Sequence, residues 1–425
     1  KAMRTLRDSD PIDVATTHHQ VSVLRSALGY GERMLLMSDQ TQFMCYGDPI
    51  LSPDLVTMAP VSSFESISEC QPISAGSSIF FPFKRGSFSG VREWFVSGTA
   101  SNAYDSSDVT AHIPAYIPGN ITKMTVAAHE NIMLCLGDTN RNEVYAYYYY
   151  GEGDQRQQSA WGKWSFGGDA IIHEIEVIDT MLYAVVERRE DNGANPRLHL
   201  EKINLQSGIV DTGSTYYTSL DRRLSHDSTA VSSSYSAVTN HTTITTPYKI
   251  QHNVTMQVVS KAGEIANMVS HAAEGTSVVV EGDWSSTSVY TDRQTWWLGE
   301  KYNMEYTFTK PLFKISQAGV GKGFVAQGRH QLRYGTIVYS DTSDFDVVVT
   351  PSPGTEKTYP YTGRTVGTDD GILGSTSLND GEFRFPIFAQ SDSVAIKLVN
   401  DSPIPAHFDS AEFEANYTTR SQRRG

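Results

Sequence analysis

The sequence predicts an all-β protein built from β-propeller blades, an inserted β-rich lobe and a C-terminal β-sandwich-like domain. Short runs of β-branched and aromatic residues recur along the chain, and turn-forming residues separate them. In the first half, central runs begin about every 50 residues, which is a spacing typical of propeller blades. Long helical periodicity is absent. Together these observations favour sheets throughout.

Residues 1–205 are predicted to form the blades. The central strand cores are RMLLM, SIFFPF, IMLCL and MLYAV, which begin at Arg33, Ser78, Ile132 and Met181. Because these runs are apolar on both faces, we expect each to be covered from both sides. Four aromatic side chains are expected to pack between blades rather than to stack on a ligand: Trp94, Tyr145, Trp161 and Trp164.

The second half divides by composition. Residues 206–299 are rich in Ser, Thr and Tyr with few large aliphatic residues, which indicates an inserted lobe or projecting tip of exposed strands and loops. Residues 300–425 show longer runs of period-two alternation between Pro, Gly and Asp turns, which is typical of a β-sandwich. Pro386, Pro403 and Pro405 are expected at strand ends or on edge strands.

A β-hairpin is predicted early in the chain. SIFFPF (Ser78 to Phe83) and VREWFV (Val91 to Val96) are apolar strand patterns, and Lys84 to Gly90 between them supplies turn chemistry. The same turn contains GSFSG, but its central residue is Phe88, so it is not a nucleophile elbow.

The sequence of this hairpin, together with GERMLLMSDQTQF (Gly31 to Phe43), resembles the tail tubular protein B, or nozzle protein, family of short-tailed bacteriophages. Two further segments carry the resemblance, Leu332 to Thr350 and Gly381 to Gly425. Between Phe166 and Leu298 it is faint. The resemblance therefore covers about two-thirds of the chain, at both ends.

The resemblance implies a structural virion protein, made in the host cytoplasm and placed in the phage tail. It implies a homohexameric ring that docks on the tail adaptor or tube protein ring and meets the tail fibres. Such a nozzle retains the genome and then conducts double-stranded DNA outward without sequence recognition. Four blades are too few to close the usual ring, so we expect upstream sequence or a neighbouring domain to complete it.

Composition limits the other options. The chain has 425 residues, 39% hydrophobic, with a formal net charge of −14 and a mean hydropathy of −0.34. No apolar run approaches the roughly 18 to 20 residues of a membrane-spanning helix. A protein that grips duplex DNA is expected to be basic. The acidic balance fits a conduit through which DNA slides, and it fits an ordinary acidic protein equally well.

The sequence motifs predict no catalytic, cofactor or metal site. GVGKG lacks both the four-residue gap between glycines and the hydroxyl after Lys322 that a phosphate-binding loop requires. Asp341, Asp344 and Asp346 lack the glycine and terminal acid of a calcium loop, and a β-turn explains them.

Histidine and cysteine positions point the same way. His173 and Glu174 are adjacent, so on a strand they face opposite sides and cannot ligate one metal. Cys45, Cys70 and Cys135 are an odd number without a close pair, which argues against a disulfide framework and a zinc site. We expect buried thiols.

Charged hairpin tips are the candidate lumen or gate residues, because turn tips project furthest. Two tips are the most charged, and they supply Glu152, Asp154, Glu190 and Asp191. The alternative is that they are ordinary solvated tips. The C-terminal arginines are candidates for contact with an acidic partner surface, or they only solubilise the terminus: Arg420, Arg423 and Arg424.

Two other function classes stay open. A tail-associated propeller protein that binds or hydrolyses glycans is one, although hydrolysis needs two carboxylates roughly 5 to 9.5 Å apart in a cleft and no motif pairs them. A receptor-binding adhesin is the other, and the Ser/Tyr-rich middle would supply its tip.

Overall fold

A computed structural model describes residues 10–14, 22–47, 51–96, 104–152, 155–167, 169–189, 196–251, 254–271, 275–311, 314–317, 320–324, 328–363 and 376–419. Within these ranges the chain is β-strand with one short 3-10 turn and no α-helix, which confirms the predicted all-β class. The chain divides into two compact units, the first ending at Ser207 and the second beginning at Gly208. The predicted division into three domains stays a prediction.

The described part of the first unit contains four antiparallel sheets, here called sheets I to IV, that follow one another along the chain. Sheet I contains β1 (Leu24–Tyr30), β2 (Arg33–Ser38), β3 (Gln42–Tyr46) and β4 (Thr57–Ser62). Sheet II contains β5 (Ile73–Ala75), β6 (Ser78–Arg85), β7 (Phe88–Val96), β8 (Tyr104–Asp108) and β9 (Ile117–Pro118). Sheet III contains β10 (Ile121–Ala127), β11 (Ile132–Gly137), β12 (Glu143–Glu152) and β13 (Gln155–Ser165). Sheet IV contains β14 (Ile171–Ile178), β15 (Met181–Arg189) and β16 (Pro196–Asn204).

Each sheet packs its face on the next. Leu35 of sheet I lies in one core with Phe81 of sheet II. The neighbouring residue, Phe80, lies on the opposite face of sheet II, in a core with Cys135 of sheet III. Leu134, next to Cys135, faces sheet IV. The two middle sheets are therefore covered on both faces because consecutive strand residues point to opposite sides.

The central positions of the apolar runs are confirmed, since β2, β6, β11 and β15 each lie between two neighbours in their sheets. Trp94 and Tyr145 are buried between sheets, as predicted. The strands of these sheets follow chain order, and the sheets pack face to face. The propeller itself stays a prediction.

The predicted hairpin in sheet II is confirmed, but its turn is shorter than the predicted Lys84 to Gly90. Arg85 pairs with Phe88, so the loop is two residues long. Gly86 has φ +64°, the left-handed conformation that a tight hairpin turn needs and glycine adopts readily. Because so tight a turn requires little chain, both strands continue into the predicted loop.

The second unit begins with a lobe whose strands pair out of chain order, as β17-β23-β20-β21-β22-β19-β18. Its elements are β17 (Asp221–Ser225), β18 (Ser232–Ser236), β19 (His241–Thr245), β20 (Met256–Ser260), β21 (Ile265–His271), β22 (Ser277–Glu281), the 3-10 turn Thr291–Gln294 and β23 (Trp296–Glu300).

The lobe has its own hydrophobic core, contrary to the prediction of exposed strands and loops. Every residue of β20 and β23 is buried. Val258, Val280, Trp284 and Trp296 meet in this core. The prediction was wrong because Ser and Thr dominate the average composition while the apolar residues concentrate in a few short strands.

The described rest of the second unit has two sheets that share one hydrophobic core rich in aromatic residues. Its strands are β24 (Met304–Thr307), β25 (Lys314–Gln317), β26 (Val320–Phe324), β27 (Gly328–Thr342), β28 (Asp344–Pro351), β29 (Lys357–Thr362), β30 (Asn379–Gln390), β31 (Val394–Asn400) and β32 (His407–Thr419). The order β30-β27-β32 forms the front sheet and β24-β31-β28-β29 the back sheet, while β25 and β26 form a separate hairpin. Pro386 lies on edge strand β30, as predicted.

Thiol reactivity gives a first test of the packing. Cys70 and Cys135 are buried, and Cys45 is half-buried. Burial raises the pKa of Cys70 to about 12 and that of Cys135 well above its usual value. At pH 8 in native protein, we expect iodoacetamide to leave Cys70 and Cys135 unmodified because the thiolate is the nucleophile.

The readout is mass spectrometry of the alkylated peptides. All three cysteines should react in 6 M guanidinium, which is the control. Native labelling of Cys135 as fast as in denaturant would contradict the packing between sheets II and III.

Candidate functional site

The predicted gate and contact residues fall mostly outside the described residues. Asp154, Glu190, Asp191 and the arginines at 420, 423 and 424 lie there. Glu152 is described as the last residue of β12, paired with Gln155 at the start of β13. The strands that lead to the two predicted tips are described, and their positions limit what the tips can do.

Measured along the strand direction, β12 and β15 end on opposite sides of the stacked sheets. The β12–β13 hairpin closes beyond Glu152, whereas the pairing of β15 with β16 ends at Arg189 and Pro196. Next to Arg189, the Arg188 guanidinium donates a hydrogen bond to the carbonyl oxygen of Phe166, just after β13 ends. The ten residues of β12 separate the two ends by roughly 33 Å. The described strand ends that lead to the two predicted tips therefore lie far apart.

Arg188 anchors the base of the β15–β16 hairpin. Its side chain is 4% exposed. Nε and Nη2 each donate to a carboxylate oxygen of Glu201 on β16, both at 2.8 Å. This bidentate geometry is the strong form of an arginine–carboxylate pair. The strands below this tip are therefore fixed to each other and to the end of sheet III.

The histidine and acids of β14 are engaged in ion pairs. His173 Nε2 lies 2.9 Å from a carboxylate oxygen of Glu187. Glu174, the next residue, instead contacts Lys123 Nζ at 3.2 Å, and Glu176 contacts the same nitrogen at 2.8 Å. The hydrogen bond to Glu176 is the main cause that raises the pKa of Lys123. In the described part of the chain no group of three or more His, Cys, Asp or Glu side chains is placed to hold a metal ion.

A small groove lies where sheets I and II meet. Its volume is about 170 Å³, and Asp39, Glu65, Glu69 and Lys84 are among its lining residues. Substrate-binding clefts usually have volumes of roughly 300 to 1,000 Å³. Asp39 is also engaged by Arg25, whose Nε lies 3.2 Å from it. The groove is therefore smaller than an ordinary ligand-binding cleft.

Within the described residues, the outer face of sheet IV, which is turned away from sheet III, exposes a group of apolar side chains beside Glu187 and Lys202. Leu198 and Leu200 on β16 are 66% and 70% exposed, and Ile178 on β14 is 57% exposed. Three half-buried side chains of β15 share this face: Met181, Tyr183 and Val185. The interior sheets cover such faces with another sheet. Sequence patterning missed this face because an apolar alternation does not reveal what covers it.

Searches for similar proteins give a family. A model of the bacteriophage nozzle protein family matches residues 1–424. The match includes the middle of the chain, where the resemblance of individual segments is faint. Tail tubular protein gp12 of Escherichia phage T7 is 24% identical over 424 residues. That alignment covers 99% of this chain and 52% of the relative, so the chain spans about half the length of this relative.

Solved structures resemble the chain only distantly. Hsv2 of Kluyveromyces lactis aligns at a TM-score of 0.31 and 8% identity, over 62% of this chain and 74% of that one. The Pan2 WD40 domain of Neurospora crassa aligns at 0.23 and 11% identity, over 61% and 75%. An exo-beta-1,3-galactanase of Phanerochaete chrysosporium aligns at 0.19 and 10% identity, over 81% and 95%. Likenesses at this level carry no argument about fold or function. No helix among the described residues is both long and apolar enough to cross a membrane.

Proposed function

Because this chain belongs to the bacteriophage nozzle protein family, we propose that it forms part of a homohexameric ring that retains the genome in the virion and conducts it during ejection. The chain is a structural component of a phage tail. The observation that carries the proposal is the family match over nearly the whole sequence. The resemblance of three separate segments to this family, expected from the sequence, is confirmed.

The charge of the chain is compatible with the conduit. A net charge of −14 gives each copy an acidic surface, and a ring repeats every inward acid around its bore. Like charges repel the duplex and keep it mobile, because a wall of lysine and arginine would bind phosphates. Double-stranded DNA then passes without sequence recognition.

The stack of four sheets is, in this proposal, part of a β-propeller. The apolar outer face of sheet IV supports this, because Leu198 and Leu200 have the character of residues that the interior sheets bury. In sheets I to III, an apolar face of this kind is covered by the next sheet along the chain. A further sheet from elsewhere in the assembled protein covers this face in the virion.

The proposed partners are the other tail proteins. The ring docks on the tail adaptor or tube protein ring and meets the tail fibres. Arg420, Arg423 and Arg424 form a basic cluster that suits an acidic partner surface. The protein has no catalytic role in this proposal, since each candidate motif lacks a geometric requirement of its chemistry.

Electron microscopy of the purified full-length protein tests the proposal. Ring-shaped particles with an open or gated bore are the expected result. Compact monomers that release sugar from host-surface polysaccharide, and lose this activity when one Asp or Glu pair is changed, would replace the nozzle by the glycan-hydrolysing alternative.

Charge reversal tests the gate residues. Changing Glu152, Asp154, Glu190 and Asp191 to Lys should leave assembly intact and slow genome release, because new positive charge in the bore binds phosphate. The delay should grow at low salt, where screening is weaker. The measurement is the rate of DNA ejection from variant virions at two ionic strengths.

The positions of the strand ends allow a more specific set of charge-reversal variants. Because the two tips follow strands that end at opposite ends of the stack, each tip is reversed separately as well as together. A control variant makes the same change in net charge at exposed acids elsewhere: Asp54, Glu281, Glu356 and Asp392. Equal ejection rates in the tip and control variants at both salt concentrations would remove these tips from the conduit.

A further inference from the structure

We propose that the outer face of the front sheet, formed by β30, β27 and β32, is a contact surface for a second copy of this chain, with Phe388 on its edge strand β30. The inference rests on the proposed ring and names one of its subunit contacts. It is carried by a strained, exposed aromatic residue and by the charged and aromatic side chains around it.

Phe388 is held on the surface in an unfavourable backbone conformation. Its φ is +48°, in the left-handed region, and its side chain is 56% exposed. Bulky residues rarely adopt this conformation, which costs about 1 to 2 kcal/mol relative to the usual one. A β-bulge produces it, since Leu332 pairs with Ala389 but Tyr334 pairs with Pro386, which leaves an extra residue on β30. Bulges commonly aim a side chain at a functional surface.

The side chains around Phe388 are of the types that dominate protein interfaces. The ring of Tyr334 lies edge to face with Phe388, with centroids 5.2 Å apart. The Arg384 guanidinium lies 4.1 Å from the centroid of the Tyr334 ring. Its Nη2 donates to Glu414 at 2.7 Å. Tyrosine, arginine and buried aromatics carry most of the binding energy at protein interfaces.

The charges of this face exclude a nucleic acid. Arg384 is paired with Glu414, and Arg333 lies 3.9 Å from the same carboxylate. The charged residues also exposed on these strands include four acids and one cation: Asp380, Glu382, Asp409, Glu412 and Arg329. A phosphate backbone would meet a net negative surface. A protein surface with excess positive charge complements it, and this chain supplies one in its own C-terminal arginines.

The size of the face suits a subunit contact. Strand β30 has twelve residues. At about 3.3 Å per residue and about 4.8 Å between strands, three such strands span roughly 40 by 14 Å. This is roughly 600 Å² in projection, and upright side chains add to it, so the face approaches the roughly 800 Å² per partner of a standard interface. In a ring, such a contact is heterologous and is repeated between every pair of neighbours.

The test replaces Phe388 by glycine in the full-length protein. Glycine adopts φ +48° without strain, so Phe388→Gly should melt at the same temperature as wild type or higher. If the face is a subunit contact, the concentration for half-assembly should rise at least tenfold in analytical ultracentrifugation. The matched control is Tyr306→Ser, because Tyr306 is 54% exposed on the back sheet and should assemble normally.

A photo-crosslinking residue at position 388 identifies the partner. Covalent dimers of this chain support the proposal. If Phe388→Gly forms rings as readily as the wild-type protein does, this contact alone is overturned. If the wild-type protein stays monomeric, the ring and the contact are both overturned. Normal rings with crosslinks to a different tail protein, or with lost binding to host polysaccharide, overturn the second-copy assignment.

Discussion

Replacing Leu134 by Asp is expected to abolish folding of the first unit. Leu134 lies on β11, is fully buried and packs between sheets III and IV. A carboxylate there has no partner, and it also removes apolar contacts, so the loss exceeds about 5 kcal/mol. Single domains have free energies of unfolding of about 5 to 15 kcal/mol, so one such loss is sufficient to unfold the unit. Phe80→Asp, between sheets II and III, should behave the same way.

The measurement is soluble yield together with thermal unfolding followed by circular dichroism. Gln158→Asp is the matched control, because Gln158 is exposed on β13 of the same sheet III. This control should change stability by less than about 0.5 kcal/mol. Soluble, cooperatively folding Leu134→Asp and Phe80→Asp proteins would count against the stacking of the sheets.

Removing Arg188 should destabilise the first unit by about 3 kcal/mol or more. The substitution Arg188→Ala leaves the Glu201 carboxylate, which is 18% exposed, without its bidentate partner. It also removes the donor to the carbonyl of Phe166. Breaking a buried ion pair from one side is costly because the remaining charge stays desolvated. Chemical denaturation measures the change.

Arg189→Ala is the control, since Arg189 is the next residue of β15 and is exposed. It should change stability by less than about 0.5 kcal/mol. The double variant Arg188→Met with Glu201→Met should recover most of the loss, because paired apolar residues often replace a buried ion pair well. Equal effects of Arg188→Ala and Arg189→Ala would refute the anchoring role.

The central strands of the first unit could be predicted because their two-sided apolar pattern has one physical meaning. Neighbours such as Leu134 and Cys135 point to opposite faces of a strand, so a run that is apolar throughout requires cover on both sides. Sheet II obeys the same rule through Phe80 and Phe81. The local apolar pattern is therefore sufficient to predict the core wherever strands pair with their neighbours in the chain.

The lobe could not be predicted in the same way. Strand β23 pairs with β17 and β20, and neither partner is its neighbour in the chain. Periodicity contains no information about such pairings. The short apolar strands around Val258 and Leu298 also lie in a Ser- and Thr-rich context, which hides their core.

The candidate tips show a similar limit. Turn residues revealed hairpins after Glu152 and after Arg189, but a turn does not reveal at which end of a stack it lies. That depends on contacts between sheets, such as the one between Arg188 and Phe166. The Phe388 bulge was equally hidden, because nothing in GEFRFPIFAQ marks a phenylalanine that takes a positive φ.

The strand order of the two units has a consequence for synthesis on the ribosome. In sheets I, III and IV every strand pairs with the one just made, so these sheets can form as the chain emerges. Among the described strands of the second unit, β24 pairs only with β31, and β27 pairs with β30 and β32. The front sheet therefore waits for the final strand, and a ribosome that stalls before His407 releases a chain with a folded first unit and an exposed, aggregation-prone β27.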